Sequence, residues 1–229
     1  MEKRLGITDR YRAMDDLPSV IPVFPLHGCI LLPRSNLPLN VFEPRYLSMV
    51  DDVLAGDRII GIVQPQMAEV ESPGSKGHPL RQTGCAGRLT SYAETEDGRL
   101  LITLTGICRF DIVGETRSLK PYRVCDVSFL PYQKDLVRGH GQDAVDWQRF
   151  LTVLRTYLDA RNLTADWQSI QRSPTELLIN TLSIISPYGP EEKQALLEAP
   201  DLKTRSEVLM ALAEMEIAAP GGESGSSLH

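Results

Sequence analysis

Apolar residues in the first part of the chain come in short bursts of Val, Ile, Leu and Phe, and this pattern changes at Pro44. Prolines interrupt the bursts between residues 19 and 41, which predicts short, irregular strands. After Pro44, apolar residues recur at three- and four-residue intervals over 46–54, the spacing of one buried helical face. Proline suits a first helical turn because its missing N–H would have no partner there, and Gly56 suits the helix end. The pattern therefore predicts strands that lead directly into a helix.

Further strands are predicted between residues 57 and 130. A β-branched run over 57–63 predicts a buried strand, since it is too short for a stable helix. The runs 85–92 and 99–105 flank Glu96-Asp97-Gly98, which predicts a hairpin with a type I′ turn because Asp-Gly tolerates positive φ. Two more strands are predicted over 107–113, after a break at Gly106, and over 121–130.

Helical periodicity takes over after residue 131. Residues 132–142 are polar and contain glycine, which predicts a linker. An apolar stripe over 147–158 predicts the first helix of this half. Ser173-Pro174-Thr175-Glu176 has the spacing of a capping box with proline in the first helical turn, so a helix should begin there. A short helix should start at Pro190, and Asp201 is a typical N-cap for the last one.

The two patterns together predict an α+β fold with two lobes. A β-rich, barrel-like N-terminal lobe with one early helix covers 18–131, and an all-α helical bundle lobe covers 143–217. Both belong to one domain over 18–217. Residues 1–17 lack periodicity and predict a flexible or loosely docked arm, whereas 218–229 are rich in glycine and serine and predict a disordered tail.

Composition and charge narrow the range of functions. The 229 residues carry a net charge of −6 and are 42% hydrophobic, so the chain is long enough to bury a sizeable core. No run approaches the roughly 20 apolar residues of a membrane helix, and the acidic balance argues against a broad grip on nucleic acid. The N-terminal residues mix both charge signs and lack the apolar stretch of a secretory signal. We therefore expect a cytoplasmic protein that binds neither membrane nor nucleic acid.

The chain lacks the sequence signatures of common catalytic and metal sites. It contains no phosphate-binding loop, no H-E-x-x-H and no G-x-S-x-G. Its four cysteines are far apart, which does not indicate zinc; reduced thiols are favoured over disulfides. We expect no catalytic residue, cofactor or metal ion. The alternative is an enzyme with a thiol- or metal-dependent site near His27 and Cys29, whose side chains would share one face of an extended segment.

The segment around Pro44 and a later loop contain the candidate binding residues. Glu43 and Arg45 flank Pro44 and can form a charge-assisted pair that fixes the strand-to-helix junction. Alternatively, Arg45 and Tyr46 present a binding surface for a peptide. The loop over 67–83 is either a substrate-contacting flap or a neutral insertion. The candidate peptide-binding residues are Phe42, Arg45, Tyr46 and Met67.

Several of these motifs resemble the N-terminal domain of Lon proteases. The resemblance rests on Ile21-Pro22-Val23-Phe24-Pro25-Leu26, Leu32-Pro33, Leu37-Pro38-Leu39 and Phe42-Glu43-Pro44-Arg45-Tyr46. Further matches are Gly87 with Leu89, Asp97-Gly98-Arg99, Gly106 with Arg109-Phe110, Pro121-Tyr122 and Leu196-Leu197-Glu198-Ala199-Pro200-Asp201. The resemblance covers residues 18–217. The chain is especially similar to bacterial proteins in which this domain stands alone.

The resemblance implies a β-rich lobe followed by a helical lobe, and a role in substrate recognition. In the full protease, ATP hydrolysis and peptide cleavage belong to later domains. We expect neither in this chain, because it has no phosphate loop and no room for a Ser–Lys protease domain. The implied function is a non-enzymatic module that binds unfolded or exposed apolar polypeptide segments, as an adaptor or regulator of proteolysis or protein quality control.

The implied partners are the polypeptide clients and a protease or chaperone component. Because exposed apolar patches usually mark interaction sites, we expect an apolar groove in the β lobe or between the lobes. A scaffold that serves only oligomerisation is a third option.

Overall fold

A computed structural model describes residues 10–66 and 77–218. Three predicted features lie partly outside the described residues: the arm over 1–17, the loop over 67–83 and the tail over 218–229. Met67, a candidate binding residue, also lies outside them. In the described part of the chain, no helix is both long and apolar enough to cross a membrane.

The described residues form one mixed sheet of six strands. The strands are β1 Val20–Pro25, β2 Asn36–Val41, β3 Ile59–Pro65, β4 Leu80–Glu94, β5 Leu100–Glu115 and β6 Arg123–Ser128. They lie in the order β2-β5-β4-β3-β1-β6, and β6 pairs a second time with the C-terminal end of β5. The pairings of β1, β3, β4, β5 and β6 therefore close a circuit, whereas β2 pairs with β5 alone and forms an edge.

The early helix is present where the sequence predicted it. Helix α1 covers Pro44–Ala55, has Pro44 at its first position and ends before Gly56. One face of it is buried, with Tyr46, Met49, Val50 and Val53 in the core. These side chains belong to a hydrophobic cluster that also contains residues of the helical half, such as Phe150 and Leu196. One core therefore joins the two lobes.

The predicted hairpin joins β4 and β5, but its turn is not of type I′. The amide N of Thr95 donates to the Arg99 carbonyl at 2.9 Å, and the amide N of Gly98 donates to the Thr95 carbonyl at 2.9 Å. Gly98 has a φ of 75°, whereas Asp97 is not among the residues with positive φ. A type I′ turn needs positive φ at both central residues, so this connection is a three-residue loop with glycine in the left-handed position.

The predicted strand break at Gly106 is wrong, because β5 runs through this residue. A Cβ added at Gly106 would lie 2.0 Å from the carbonyl oxygen of Leu32. The amide N of Gly106 also donates to the Ser35 carbonyl at 2.9 Å. Glycine is required here because the segment before β2 crosses directly over the strand, and not because the strand ends.

The described residues form six α-helices, and five of these make up the second half of the chain. These are α2 Trp147–Ala160, α3 Trp167–Arg172, α4 Thr175–Ile185, α5 Pro190–Glu198 and α6 Leu202–Ala218. Asp201 caps α6 as predicted, because its Oδ1 accepts from the Thr204 amide at 2.8 Å. The predicted capping box before α4 is wrong. The N-cap is Pro174, without a side-chain hydrogen bond, and Ser173 Oγ donates back to the Ser169 carbonyl.

The N-terminal residues that the structure describes pack against the sheet. Tyr11 and Leu17 are buried in a second, smaller hydrophobic cluster together with residues such as Ile21 and Phe110. The Tyr11 hydroxyl accepts from Arg88 Nη1 at 2.7 Å. This part of the chain therefore covers one face of the sheet.

Candidate polypeptide-binding surfaces

Phe42 directly follows the edge strand β2 and is 61% exposed. The preceding residue, Val41, pairs with Leu100 at the start of β5, which brings the end of the hairpin alongside. The guanidinium carbon of Arg99 lies 5.8 Å from the centre of the Phe42 ring. Leu101, the next residue of β5, is also exposed. We call Phe42, Arg45, Arg99 and Leu101 the strand-end surface.

Arg45 is exposed on this surface and rests on a buried tyrosine. Its Nε donates to Glu43 Oε2 at 2.9 Å, so the predicted pair at the start of α1 is confirmed. Both side chains are about half exposed, and an exposed pair of this kind contributes only about 0–1 kcal/mol. The Arg45 guanidinium lies 4.5 Å from the Tyr46 ring centre, and that ring lies 4.1 Å from the ring of Phe24. Tyr46 therefore forms the floor beneath Arg45.

A second apolar surface is a groove in the helical lobe, between α2, α4 and α6. It has a volume of about 410 Å³, counting the part open to solvent, and none of its lining side chains is charged. The lining includes Phe150, Val153, Leu154, Leu182, Leu209 and Met210, together with Tyr157 and Tyr188. We call this the helical groove. A concave, apolar surface of this kind can bury an apolar side chain of a ligand.

Two tyrosines give the helical groove a polar edge. Burial is the main cause that raises the pKa of Tyr157 and of Tyr188, and the carboxylate of Glu216 raises both further. Arg161 Nη2 pairs with Glu216 Oε2 at 2.5 Å, and its guanidinium lies 5.5 Å from the Tyr157 ring centre. An apolar interior with a polar rim is typical of a protein-binding surface.

The sequence predicted the stripes that line this groove but not the groove itself. The residues over 147–158 form the apolar face of α2, as predicted. An apolar stripe predicts burial, but it does not show how completely the neighbouring helices cover it. The expected position, in the β lobe or between the lobes, therefore differs from where this groove lies.

The segment containing His27 and Cys29 does not have the extended geometry on which the enzyme alternative depended. Gly28 between them has a φ of 66°, and its amide N donates to Gln64 Oε1 at 2.9 Å. His27 is exposed, whereas Cys29 is partly buried, and burial raises the pKa of its thiol despite the nearby Lys193. A reactive thiol needs a lowered pKa. Within the described part of the chain, the surroundings of Cys29 therefore do not lower the pKa of its thiol overall.

The remaining candidates for a reactive or metal-binding site are the other cysteines and the possible metal ligands among the described residues. All four cysteines are free, as the favoured interpretation of the sequence required. Burial raises the pKa of the other three cysteine thiols too. Within residues 10–66 and 77–218, no group of three or more His, Cys, Asp or Glu side chains is arranged to hold a metal ion.

Known proteins with similar sequences include Lon proteases. A family model for the substrate-binding domain of ATP-dependent protease La (Lon) matches residues 20–214. Lon protease 2 of Myxococcus xanthus is 25% identical over 208 residues, which cover 86% of this chain and 24% of that protease. Lon protease 2 of Sorangium cellulosum is 27% identical over 199 residues, with 84% and 24% covered. The chain thus spans about a quarter of the length of these curated relatives.

Solved structures of Lon N-terminal domains have the same fold. A Lon N-terminal domain protein from Xanthomonas campestris has a TM-score of 0.60 at 21% identity. The N-terminal domain of Mycobacterium avium complex Lon protease has a TM-score of 0.61 at 16% identity. In both cases the match covers 85% of this chain and 98% of the other. The predicted α+β fold is therefore confirmed.

Proposed function

The chain belongs to the family of Lon substrate-binding domains, and from this premise we propose that it is a non-enzymatic module that binds unfolded or exposed apolar polypeptide segments. In this role it acts as an adaptor or regulator of proteolysis or protein quality control, with a protease or chaperone component as its second partner. The observation that carries the proposal is the helical groove, an open apolar surface without a charged lining side chain.

The helical groove recognises apolar side chains and not a particular sequence. A Leu or Phe side chain that leaves water for this groove contributes about 1.5–3 kcal/mol. The groove is open along one side, so the client backbone stays at the rim, where its polar groups keep their contact with water. There the Tyr157 hydroxyl and the Arg161–Glu216 pair offer hydrogen-bonding groups. This arrangement suits many unfolded segments and excludes folded surfaces that expose no apolar side chain.

The strand-end surface is the second part of the proposed binding site. Phe42 presents an exposed ring, and Arg45 presents a charge above the buried ring of Tyr46. Met67 joins this set on sequence grounds alone. An exposed aromatic residue flanked by cations can bind both an apolar side chain and an acidic group of a client.

Binding to an unfolded polypeptide tests the helical groove directly. The probe is fluorescently labelled, reduced and carboxymethylated α-lactalbumin, titrated with the purified protein and followed by anisotropy. Val153→Glu places a charge in the groove lining, and we expect the affinity to fall about tenfold or more, because apolar burial is lost and a charge is desolvated. Thr156→Glu adds the same charge on the exposed face of α2 and should bind like the unmodified protein.

Circular dichroism and thermal unfolding of both variants separate a binding defect from a folding defect. Equal affinities of the V153E and T156E variants would exclude the groove as the binding site. A protein that neither binds this probe nor suppresses aggregation of unfolded clients would contradict the proposed function as a whole.

The strand-end surface has its own pair of variants. Phe42→Ala removes an exposed ring, so it should leave thermal stability unchanged while it weakens binding about threefold to tenfold. Leu119→Ala truncates a fully exposed apolar residue outside the strand-end surface and serves as the control. If the two variants bind the probe equally well, Phe42 does not belong to the site.

A further inference from the structure

A charged pocket lies where the two lobes meet. It is formed by the segment before β2, the middle of β5, the 3-10 segment Leu130–Leu136, and the ends of α4 and α6 that face them. Four cationic residues, Arg34, Arg109, Lys134 and Arg205, line it together with three carboxylates, Asp135, Glu176 and Asp201. Its volume is about 350 Å³, counting the part open to solvent. It shares no lining residue with the helical groove.

The three carboxylates of this pocket already have partners. Asp135 accepts from Arg109 Nε and Nη2, both at 2.8 Å. Glu176 forms an ion pair with Arg34 and also accepts from a backbone amide, that of Gly139, at 2.8 Å. Asp201 is the N-cap of α6. The charges of Arg34 and Arg109 are therefore each neutralised by a neighbouring carboxylate.

Among the described residues, no carboxylate forms an ion pair with Arg205. It is 4% exposed, and two of its nitrogens donate to neutral acceptors, the Leu196 carbonyl and Asn180 Oδ1, both at 2.9 Å. Its Nη2 is buried and has no hydrogen-bond partner among the described residues. Burial and then the neighbouring Arg109 lower the pKa of Arg205 to about 10, while the carboxylates of Asp135 and Glu176 act in the opposite direction, so the side chain is still charged at neutral pH. A buried charge is costly unless it is paired.

We propose that this pocket binds a phosphate-sized oxyanion, which neutralises the buried charge of Arg205. Guanidinium groups bind oxyanions through short, charge-assisted hydrogen bonds, and Arg is the preferred residue for phosphate recognition. Lys134 and His140 line the pocket and are exposed, so they mark its entrance. Nη2 is shielded from solvent, so the guanidinium has to shift toward the pocket for the anion to reach this nitrogen. The anion then ties α6 to β5 and stabilises the junction between the lobes.

Calorimetric titration with inorganic phosphate at constant ionic strength tests this site. We expect saturable binding to the full chain, and a loss of about tenfold in affinity for Lys134→Glu, because a charge-assisted contact at the entrance is removed and reversed. Lys203→Glu makes the same charge change on the exposed face of α6, outside the pocket, and should bind phosphate normally. Absence of saturable binding, or equal affinities of the K134E and K203E variants, would overturn the proposal.

A variant of Arg205 itself adds a second measurement. Arg205→Lys keeps the charge but loses the planar fork, so phosphate should bind at least about tenfold more weakly. Normal phosphate affinity of a folded R205K variant would overturn the proposal, and if this variant does not fold, the Lys134 comparison decides. Tripolyphosphate as a second probe distinguishes free phosphate from a larger phosphate-bearing molecule as the ligand of this site. Much tighter binding than phosphate assigns the site to a larger phosphate-bearing molecule, and similar binding assigns it to free phosphate; either result supports an oxyanion site.

Discussion

Replacing Asp135 by Ala should destabilise the protein strongly, because it removes the carboxylate that neutralises a buried arginine. Arg109 is 3% exposed, and two of its nitrogens bond to Asp135 at 2.8 Å. Removing one partner of a buried ion pair costs about 3–5 kcal/mol. For a chain of this length, each kcal/mol lowers the melting temperature by about 2–4 °C, so we expect a decrease of roughly 6–20 °C.

Thermal unfolding followed by circular dichroism measures this decrease, and an exposed ion pair provides the control. Asp97→Ala removes the partner of Arg99, and both of those side chains are half exposed or more. Exposed pairs contribute about 0–1 kcal/mol, so the melting temperature of this variant should fall by no more than about 4 °C. The comparison separates the effect of a buried charge from the loss of any carboxylate.

A double variant tests the physical reason for the effect. Arg109→Met with Asp135→Leu removes both charges of this pair and should recover part of the lost stability. Recovery should be incomplete, because Arg109 Nη1 also donates to two backbone carbonyls, at 3.1 and 2.6 Å. If D135A melts at the same temperature as D97A, the buried Arg109–Asp135 pair does not stabilise the fold in the way proposed here.

Three further predictions follow from single contacts. Gly106→Ala should lower the free energy of unfolding, measured by urea titration, by at least about 1–3 kcal/mol, because its Cβ would lie 2.0 Å from the Leu32 carbonyl oxygen. In the control Gly114→Ala the added Cβ meets open space, so the loss of stability should be far smaller. The Thr204 amide lowers the pKa of Asp201. The contribution of Asp201 to stability is therefore complete above its unfolded pKa of about 4 and is lost as the pH falls through the lower folded value. Asp201→Asn should flatten this part of the dependence of the melting temperature on pH. Burial raises the pKa of Cys29, so iodoacetamide should alkylate it more slowly than a free thiol at neutral pH. The Cys29→Ser variant assigns the signal, and a faster reaction would support the thiol-enzyme alternative.

Local signals were sufficient for most helix and strand positions. Pro44 and Gly56 bound α1, and Asp201 caps α6, because each of these residues acts on the backbone of its immediate neighbours. The α+β architecture followed from the change of hydrophobic periodicity near residue 131. Gly106 was misinterpreted because its role depends on Leu32, which is brought close only by the fold.

The charged residues between the lobes could not be predicted for the same reason. Glu176 had the spacing of a capping box, yet its carboxylate pairs with Arg34, 142 positions away along the chain. Asp135 lies in the predicted linker and neutralises Arg109 in the middle of β5. Sequence spacing predicts contacts within one turn of a helix, whereas these partners are determined by how the lobes pack.

The binding surfaces were predicted unequally. Phe42 and Arg45 are exposed, as a contact surface requires. Tyr46 is buried beneath Arg45 and can contribute only as its floor. The helical groove arises from incomplete coverage of predicted apolar stripes, which no periodicity describes.

Site-specific photo-crosslinking tests the central claim most directly. A photoreactive phenylalanine analogue placed at position 153 lies in the helical groove, and the same residue at position 156 lies on the exposed face of the same helix. On irradiation with reduced, carboxymethylated α-lactalbumin, we expect strong crosslinking from position 153, reduced by unlabelled unfolded competitor, and little from position 156. Equal or absent crosslinking at the two positions, with the protein folded and the client bound, would contradict it.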